Sequence, residues 1–132
     1  MYERDYIMRL ITQAGAMLKS MVHALREHRP DDALETARDA VAALVETDPE
    51  LADAMTGAGL ATFLAAGGVT DVLRSRMLGE VLAVRADAYA ASGRMGAASR
   101  ERARARAVLE AARPYADGEE AERIDSLLEQ LG

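Results

Sequence analysis

Residues 82–112 read LAVRADAYAASGRMGAASRERARARAVLEAA. Tyr89 is followed by Gly93 four residues on, by Ala98 five further and by Ala105 seven further. A glycine that close to the end of an apolar-periodic run is a helix stop. Small residues recurring at helical spacing after it mark a second helix that crosses its neighbour closely, because only small side chains leave room for close crossing. The stretch is therefore read as a helical hairpin. One long helix runs from near Thr70 to about Ser92, and a second runs from Met95 to about Arg113, where Pro114 stops or kinks it.

Outward from this hairpin the chain keeps the same character. Half of its 132 residues are apolar, with seven Met, four Tyr, one Phe and no Trp. Alanine is the best helix former and strand-favouring residues are scarce, so an all-α protein of a single domain over residues 1–132 is expected. There is no cysteine, which excludes disulfides, thiolate metal sites and cysteine nucleophiles and suits a reducing cytoplasm.

The opening MYERDYIMRLITQAG holds an apolar run broken by Arg9 and Gln13 and preceded by Glu3 and Asp5. A signal peptide wants an unbroken run behind positive charge, and a membrane span wants about 20 apolar residues. Helical spacing fits better: Ile7, Leu10, Ile11, Ala14, Met17, Leu18, Met21, Val22 and Leu25 form one stripe. The first helix is expected to end near His28. A second starts at Pro30, with Asp31 and Asp32 in its first turn and Ala33, Leu34, Ala37, Ala40, Val41, Leu44 and Val45 as its stripe. The short connection makes these two an antiparallel hairpin. Thr47 and Glu50 have capping-box spacing before a short helix, and the glycines at 57, 59, 67 and 68 bound another around Leu60 to Ala66. Asp117 and Glu120 suggest a cap for a last helix lined by Ile124, Leu127, Leu128 and Leu131.

The hairpin at 82–112 resembles a tetratricopeptide repeat. The first hairpin is a degenerate copy: Ala33 and Ala40 stand where Ala98 and Ala105 do, His28 where Gly93 does and Ala24 where Tyr89 does. The offset is 65 residues against the usual repeat of about 34, the surplus being a short-helix insert at about 47–68. The fold expected is thus a set of antiparallel helical hairpins in a tetratricopeptide-like right-handed superhelix or bundle. The whole chain also resembles a family of small uncharacterised bacterial all-helical proteins, through DYIMRLITQAG (residues 5–15), DDALETARDAV (residues 31–41) and the closing hairpin with its acidic helix. That resemblance implies the fold and carries no activity with it.

Charge is segregated. Residues 31–73 hold nine acids and one Arg, residues 74–113 nine Arg and four acids, and the whole chain has net charge −6. RERARARA looks suited to phosphates, but residues two apart on a helix point about 200° apart. Arg100 and Arg104 share one face and Arg102 and Arg106 another, and the acidic total opposes a polyanion, so nucleic acid is not the expected partner. His23 and His28 are five apart, not the four that puts two ligands on one face, and the acids lack calcium-loop spacing. No cofactor, metal or catalytic set is expected. Most methionines are read as adaptable core.

Two sets of residues remain as candidates. Arg76, Glu80, Asp87 and Arg94 recur at helical spacing with Ala83, Ala90 and Ala91 among them; by resemblance to tetratricopeptide repeats this side faces a groove that takes a partner's peptide. Met8 lies off the main stripe of the first helix, and with Tyr2 and Tyr6 at the start of that helix it is a candidate for self-association. The expected function is a non-enzymatic protein–protein interaction module. A small-ligand sensor with a pocket between helices, and a nucleic-acid-associated regulator using Arg94–Arg113, are the alternatives.

Overall fold

The computed structural model describes residues 2–66 and 71–132, with side chains from Asp5 onward. Gly67, Gly68 and Thr70, expected to break one helix and begin the next, lie outside the described residues. The rest is helical: α1 (Tyr2–Arg26), α2 (Pro30–Val45), α3 (Pro49–Ala54), α4 (Gly57–Leu64), α5 (Val72–Ala91), α6 (Met95–Ala112), a 3-10 turn (Arg113–Tyr115) and α7 (Gly118–Leu131). No described helix is long and apolar enough to cross a membrane.

Local chemistry sets the ends of these helices. Pro30 and Pro49 sit in the first turn of α2 and α3, where the missing N–H costs nothing. Thr56 caps α4 by accepting from Gly59 N, and Asp71 caps α5 by accepting from Arg74 N, both at 3.0 Å. Two expected caps are corrected. Asp48, not Thr47, caps α3, accepting from Glu50 N at 2.9 Å; with Pro49 fixed at the first helical position, the preceding residue is the one placed to cap. Asp117 precedes α7 but makes no side-chain cap, and Glu120 is drawn away to Arg76, whose Nε lies 2.8 Å from it.

The two hairpin turns are the same turn. Arg29 N donates to Ala24 O at 2.8 Å, and Arg94 N donates to Tyr89 O at 2.9 Å. His28 N reaches Leu25 O at 3.1 Å, and Gly93 N reaches Ala90 O at 3.0 Å. Gly93 has φ +78° and His28 has φ +59°, so the histidine occupies the left-handed conformation that the glycine takes without strain. Ala33, Ala40, Ala98 and Ala105 are all fully buried.

Helix α5 is the centre of the molecule. It packs on α1 and α2 behind it and on α6 and α7 ahead of it. The tightest crossing lies at Gly79, where a Cβ would come within 2.5 Å of Leu109 Cδ2. Met21, Leu44, Leu60, Leu78, Leu82, Leu109 and Ile124 fill the core. The methionines divide: Met21 and Met77 are buried, but Met95 is 57% exposed and Met8 46%, so the reading of the set as core holds only in part. Helices α3 and α4 pack on α2, α4 also packs on α6, and arginines of α6 reach α3, so the insert bridges the second helices of the two hairpins.

The helix directions follow from three residues at one end. Arg74 at the start of α5 donates through Nε to Leu44 O and pairs with Glu46 at the end of α2. Near the start of α1, the neighbouring Glu46 carboxylate pushes the Tyr6 pKa up. The start of α1, the end of α2 and the start of α5 therefore meet, α1 and α5 run parallel, and both hairpin turns lie at the opposite end.

Candidate functional site

The four residues expected to line one groove are divided by α7. Arg76 is 6% exposed. Its Nη1 donates to Glu80 at 2.6 Å, one turn away, and its Nε to Glu120 of α7 at 2.8 Å. Arg123 of α7 also reaches Glu80, at 3.0 Å. Burial pulls the Arg76 pKa down, but the bonds to Glu120 and Glu80 outweigh it and hold it above its ordinary value. This half of the face joins α5 to α7. Asp87 and Arg94, in contrast, are exposed. Partial burial keeps the Asp87 carboxyl above the usual range against the opposing pull of Arg102. The Arg94 guanidinium lies over the Tyr89 ring, 4.9 Å from its centroid, with Arg85 on the same ring at 5.7 Å. The end of α5 near the turn is thus the open part of the predicted face.

A larger charged arrangement among the described residues lies between α5, α6 and α3 and was not singled out from the sequence. Glu101 (1% exposed), Arg104 (3%) and Arg85 (4%) are buried together. Glu101 accepts from Arg104 Nη1 at 2.8 and 2.9 Å, and Arg85 Nη1 lies 3.8 Å from its second oxygen. Arg85 also forks onto Asp53 of the insert at 2.8 and 3.3 Å. Arg104 Nη2 donates to the Ala52 carbonyl at 2.8 Å, and Arg100 Nη2 to the Asp53 carbonyl. Those carbonyls belong to the last turn of α3, which has no basic residue of its own to satisfy them. Arginines of α6 therefore cap α3 from outside. Burial raises the Asp53 pKa, but the Arg85 hydrogen bond and the charges of Arg85, Arg104 and Arg38 outweigh it and hold the carboxyl below the usual range. Gly57 permits the close seating that follows: a Cβ there would meet Ala107 Cβ at 2.7 Å and Arg104 Cα at 3.0 Å.

A signal for this cluster was present. The buried residues of α6 are Ala98, Glu101, Arg104, Ala105, Val108, Leu109 and Ala112, which recur at helical spacing, and Glu101 and Arg104 are the two charges among them. On α5, Arg85 continues Leu78 and Leu82. A charge on an apolar stripe needs a partner.

The arginine-rich segment is mostly spent within the chain. Arg100 and Arg104 hold α3, Arg106 reaches Glu110 and the Gly132 carbonyl, and Arg113 forks onto Asp125 at 2.7 and 3.1 Å. On α1, Tyr6 (48% exposed) and Met8 (46%) are open, with Glu46 near the Tyr6 hydroxyl. The Tyr2 side chain lies outside the described residues. Among the described residues no three of His, Asp and Glu gather as a metal site. Three clefts lined by described residues are shallow. One of about 350 Å³ lies on α1, and two smaller ones of about 240 and 250 Å³ flank α6.

No protein-family model matches the chain, and no curated protein and no solved structure matches it either.

Proposed function

We propose that this protein is a tetratricopeptide-like, non-enzymatic interaction module that takes a protein or peptide partner on the side of α5 flanked by α1 and α7. The observation that carries the reading is a repeated step in the packing. Helix α5 rests on both helices of the hairpin before it, α1 and α2, and α7 rests on both helices of its own predecessor, α5 and α6. A superhelix of this kind grows by that step, and its first helices line a continuous face. The identical turns at His28 and Gly93 support the same reading.

The insert does not count against an open face. Helices α3 and α4 bridge α2 and α6, the second helices of the hairpins, rather than α1 and α7. Asp87 and Arg94 are then the residues that meet the partner, while Arg76 and Glu80 hold α7 in place beside them. Self-association through Tyr2, Tyr6 and Met8, a family kinship with small bacterial helical proteins and a cytoplasmic setting are further parts of the proposal.

The test is native mass spectrometry on tagged protein drawn gently from its own cells, wild type beside Asp87→Arg/Arg94→Glu. The expected result is one protein partner at fixed stoichiometry with the wild type, lost with the double variant although the variant keeps its helicity. A partner retained by the double variant would show that the face is wrongly assigned. A bare chain in both samples would leave the interaction reading without its partner and overturn it.

A further inference from the structure

Most arginines in this chain are held by its own acids, from Arg29 with Asp32 to Arg123 with Glu80. The cations of α1 are different. Arg9, Lys19 and Arg26 are exposed and have no ion-pair partner among the described residues. In a protein of net charge −6, the stretch of α1 between Asp5 and Glu27 carries cations and no acid, a local inversion of sign bounded by those two carboxylates.

Two of these cations flank an apolar cleft. It has a volume of about 350 Å³ and is lined by Leu18, Lys19, Val22, His23 and Arg26. Leu18 and Val22 are half-buried: Leu18 packs against the core on one side, and both line the cleft on the other. They continue the strip of α1 that meets α5, since a Cβ on Gly15 would lie 3.9 Å from Met77 Cε, and positions 15, 18 and 22 share one side of a helix. Lys19, His23 and Arg26 stand one step further round, toward solvent. Because α1 and α5 run parallel, this cleft lies toward the same end as Arg94 and Asp87. Arg94 likewise lacks an acidic partner among the described residues and rests on Tyr89.

We infer that the α1 cleft is a docking site for an acidic amphipathic helix of a partner protein, which lays leucine-sized side chains on Leu18 and Val22 and carboxylates against Lys19 and Arg26. This rests on the interaction-module reading and names the chemistry of its partner. The arrangement is that of one helix laid along the side of another, since every lining residue belongs to α1: apolar positions set the affinity, and flanking charges set orientation and partner choice. Lys19 and Arg26 are seven residues apart, about 10 Å along the helix, a span that two turns of a partner helix match. A long polyanion is disfavoured, because the acidic stretches of residues 31–73 and 114–132 repel it beyond that short span. An anionic membrane is disfavoured for the same reason.

The probe is a synthetic helix of Leu, Ala and Glu with its leucines on one face, labelled for fluorescence anisotropy, beside the same peptide carrying Lys for Glu. The wild-type protein should bind the acidic peptide, not the basic one, and more weakly at 300 mM than at 50 mM salt. Lys19→Glu/Arg26→Glu should lose about tenfold or more in affinity. Val22→Asp should lose as much, while Arg9→Glu, with a charge reversal three turns away on the same helix, should lose little. Circular dichroism confirms that each variant is folded. Failure to bind the acidic peptide, or an equal loss in Arg9→Glu, would overturn the inference. So would tighter binding to phosphatidylserine vesicles or to a single-stranded oligonucleotide than to the peptide. A partner captured through Asp87 and Arg94 with no affinity for the acidic peptide would sink this inference alone and leave the module reading standing.

Discussion

In the first hairpin His28 turns the chain at φ +59°, and in the second Gly93 turns it at φ +78°, with the same two hydrogen bonds behind each. The alanines at 33 and 40 in one, and at 98 and 105 in the other, are buried to the same degree. What fills the two hairpins differs. In α2 the residue 65 positions before Glu101 is Thr36, and the residue 65 before Arg104 is the exposed Asp39. The first hairpin closes over an apolar interior. The second carries a buried carboxylate and two buried guanidiniums, and with them it grips α3. One backbone device thus serves two purposes, depending on whether the inner face of the second helix is greasy or charged. The apolar packing of Ala52, Leu60 and Leu64 seats the insert in the core, and the charged version adds polar contacts that grip the end of α3.

Removing Glu101 should break the comparison most severely. Glu101→Ala leaves Arg104 and Arg85 buried without their shared carboxylate, and breaking a buried pair by removing one partner costs about 3–5 kcal/mol. Thr36→Ala at the matching place should cost under about 1 kcal/mol. Urea unfolding of the two variants reads the difference, and equal small losses would mean that the cluster does not distinguish the hairpins. If Glu101→Ala fails to fold, Glu101→Gln keeps the shape and a weaker version of the same loss.

Asp53 offers a milder test. Its pKa is lowered in the folded protein, so its contribution to stability is present above the ordinary carboxylate range and is lost as pH falls through the lower folded value. Asp53→Asn should cost about 1.5–3 kcal/mol at neutral pH, the range for a hydrogen bond to a charged group. It should also flatten the acid limb of the stability curve. Hydrogen exchange should show faster exchange in α3 and unchanged exchange in α1 and α2. An acid limb identical to that of the wild type would contradict the assignment.

The smallest effects lie at the turns. His28→Gly should stabilise by up to about 1 kcal/mol, because a side chain in the left-handed region carries a cost that glycine avoids. Gly93→Ala should destabilise by a similar amount, and thermal melts of both variants check the pair. Opposite signs of similar size would sharpen the claim that the two turns are one device.

The hairpins were legible in the sequence because their signals are local: a stop residue, small residues at crossing distances, and stripes of helical period. Even the match of His28 to Gly93 could be read by counting. The division of the predicted α5 face was not legible, since Arg76 and Glu80 look like solvated charges until Glu120 and Arg123 arrive from more than forty residues away. The buried cluster was hidden for a related reason. Asp53, Arg85 and Arg104 come from three helices, and a charged residue reads as surface unless its place on the apolar stripe is weighed above its type. Glu101 stood on that stripe. The insert's seating between α2 and α6 includes carbonyls capped by distant arginines, which no local pattern announces.

The central claim is that the α1, α5 and α7 side of the molecule meets a partner while the insert side does not. Site-specific photo-crosslinking in cells tests it most directly, with the crosslinker placed in turn at Asp87, Ala91 and Arg94, and at Glu35, Ala58 and Ala111 on the second-helix and insert side, all exposed positions. The account predicts one crosslinked protein from the first three positions and none from the second three. Crosslinks from the insert side, or from both sides alike, would contradict it.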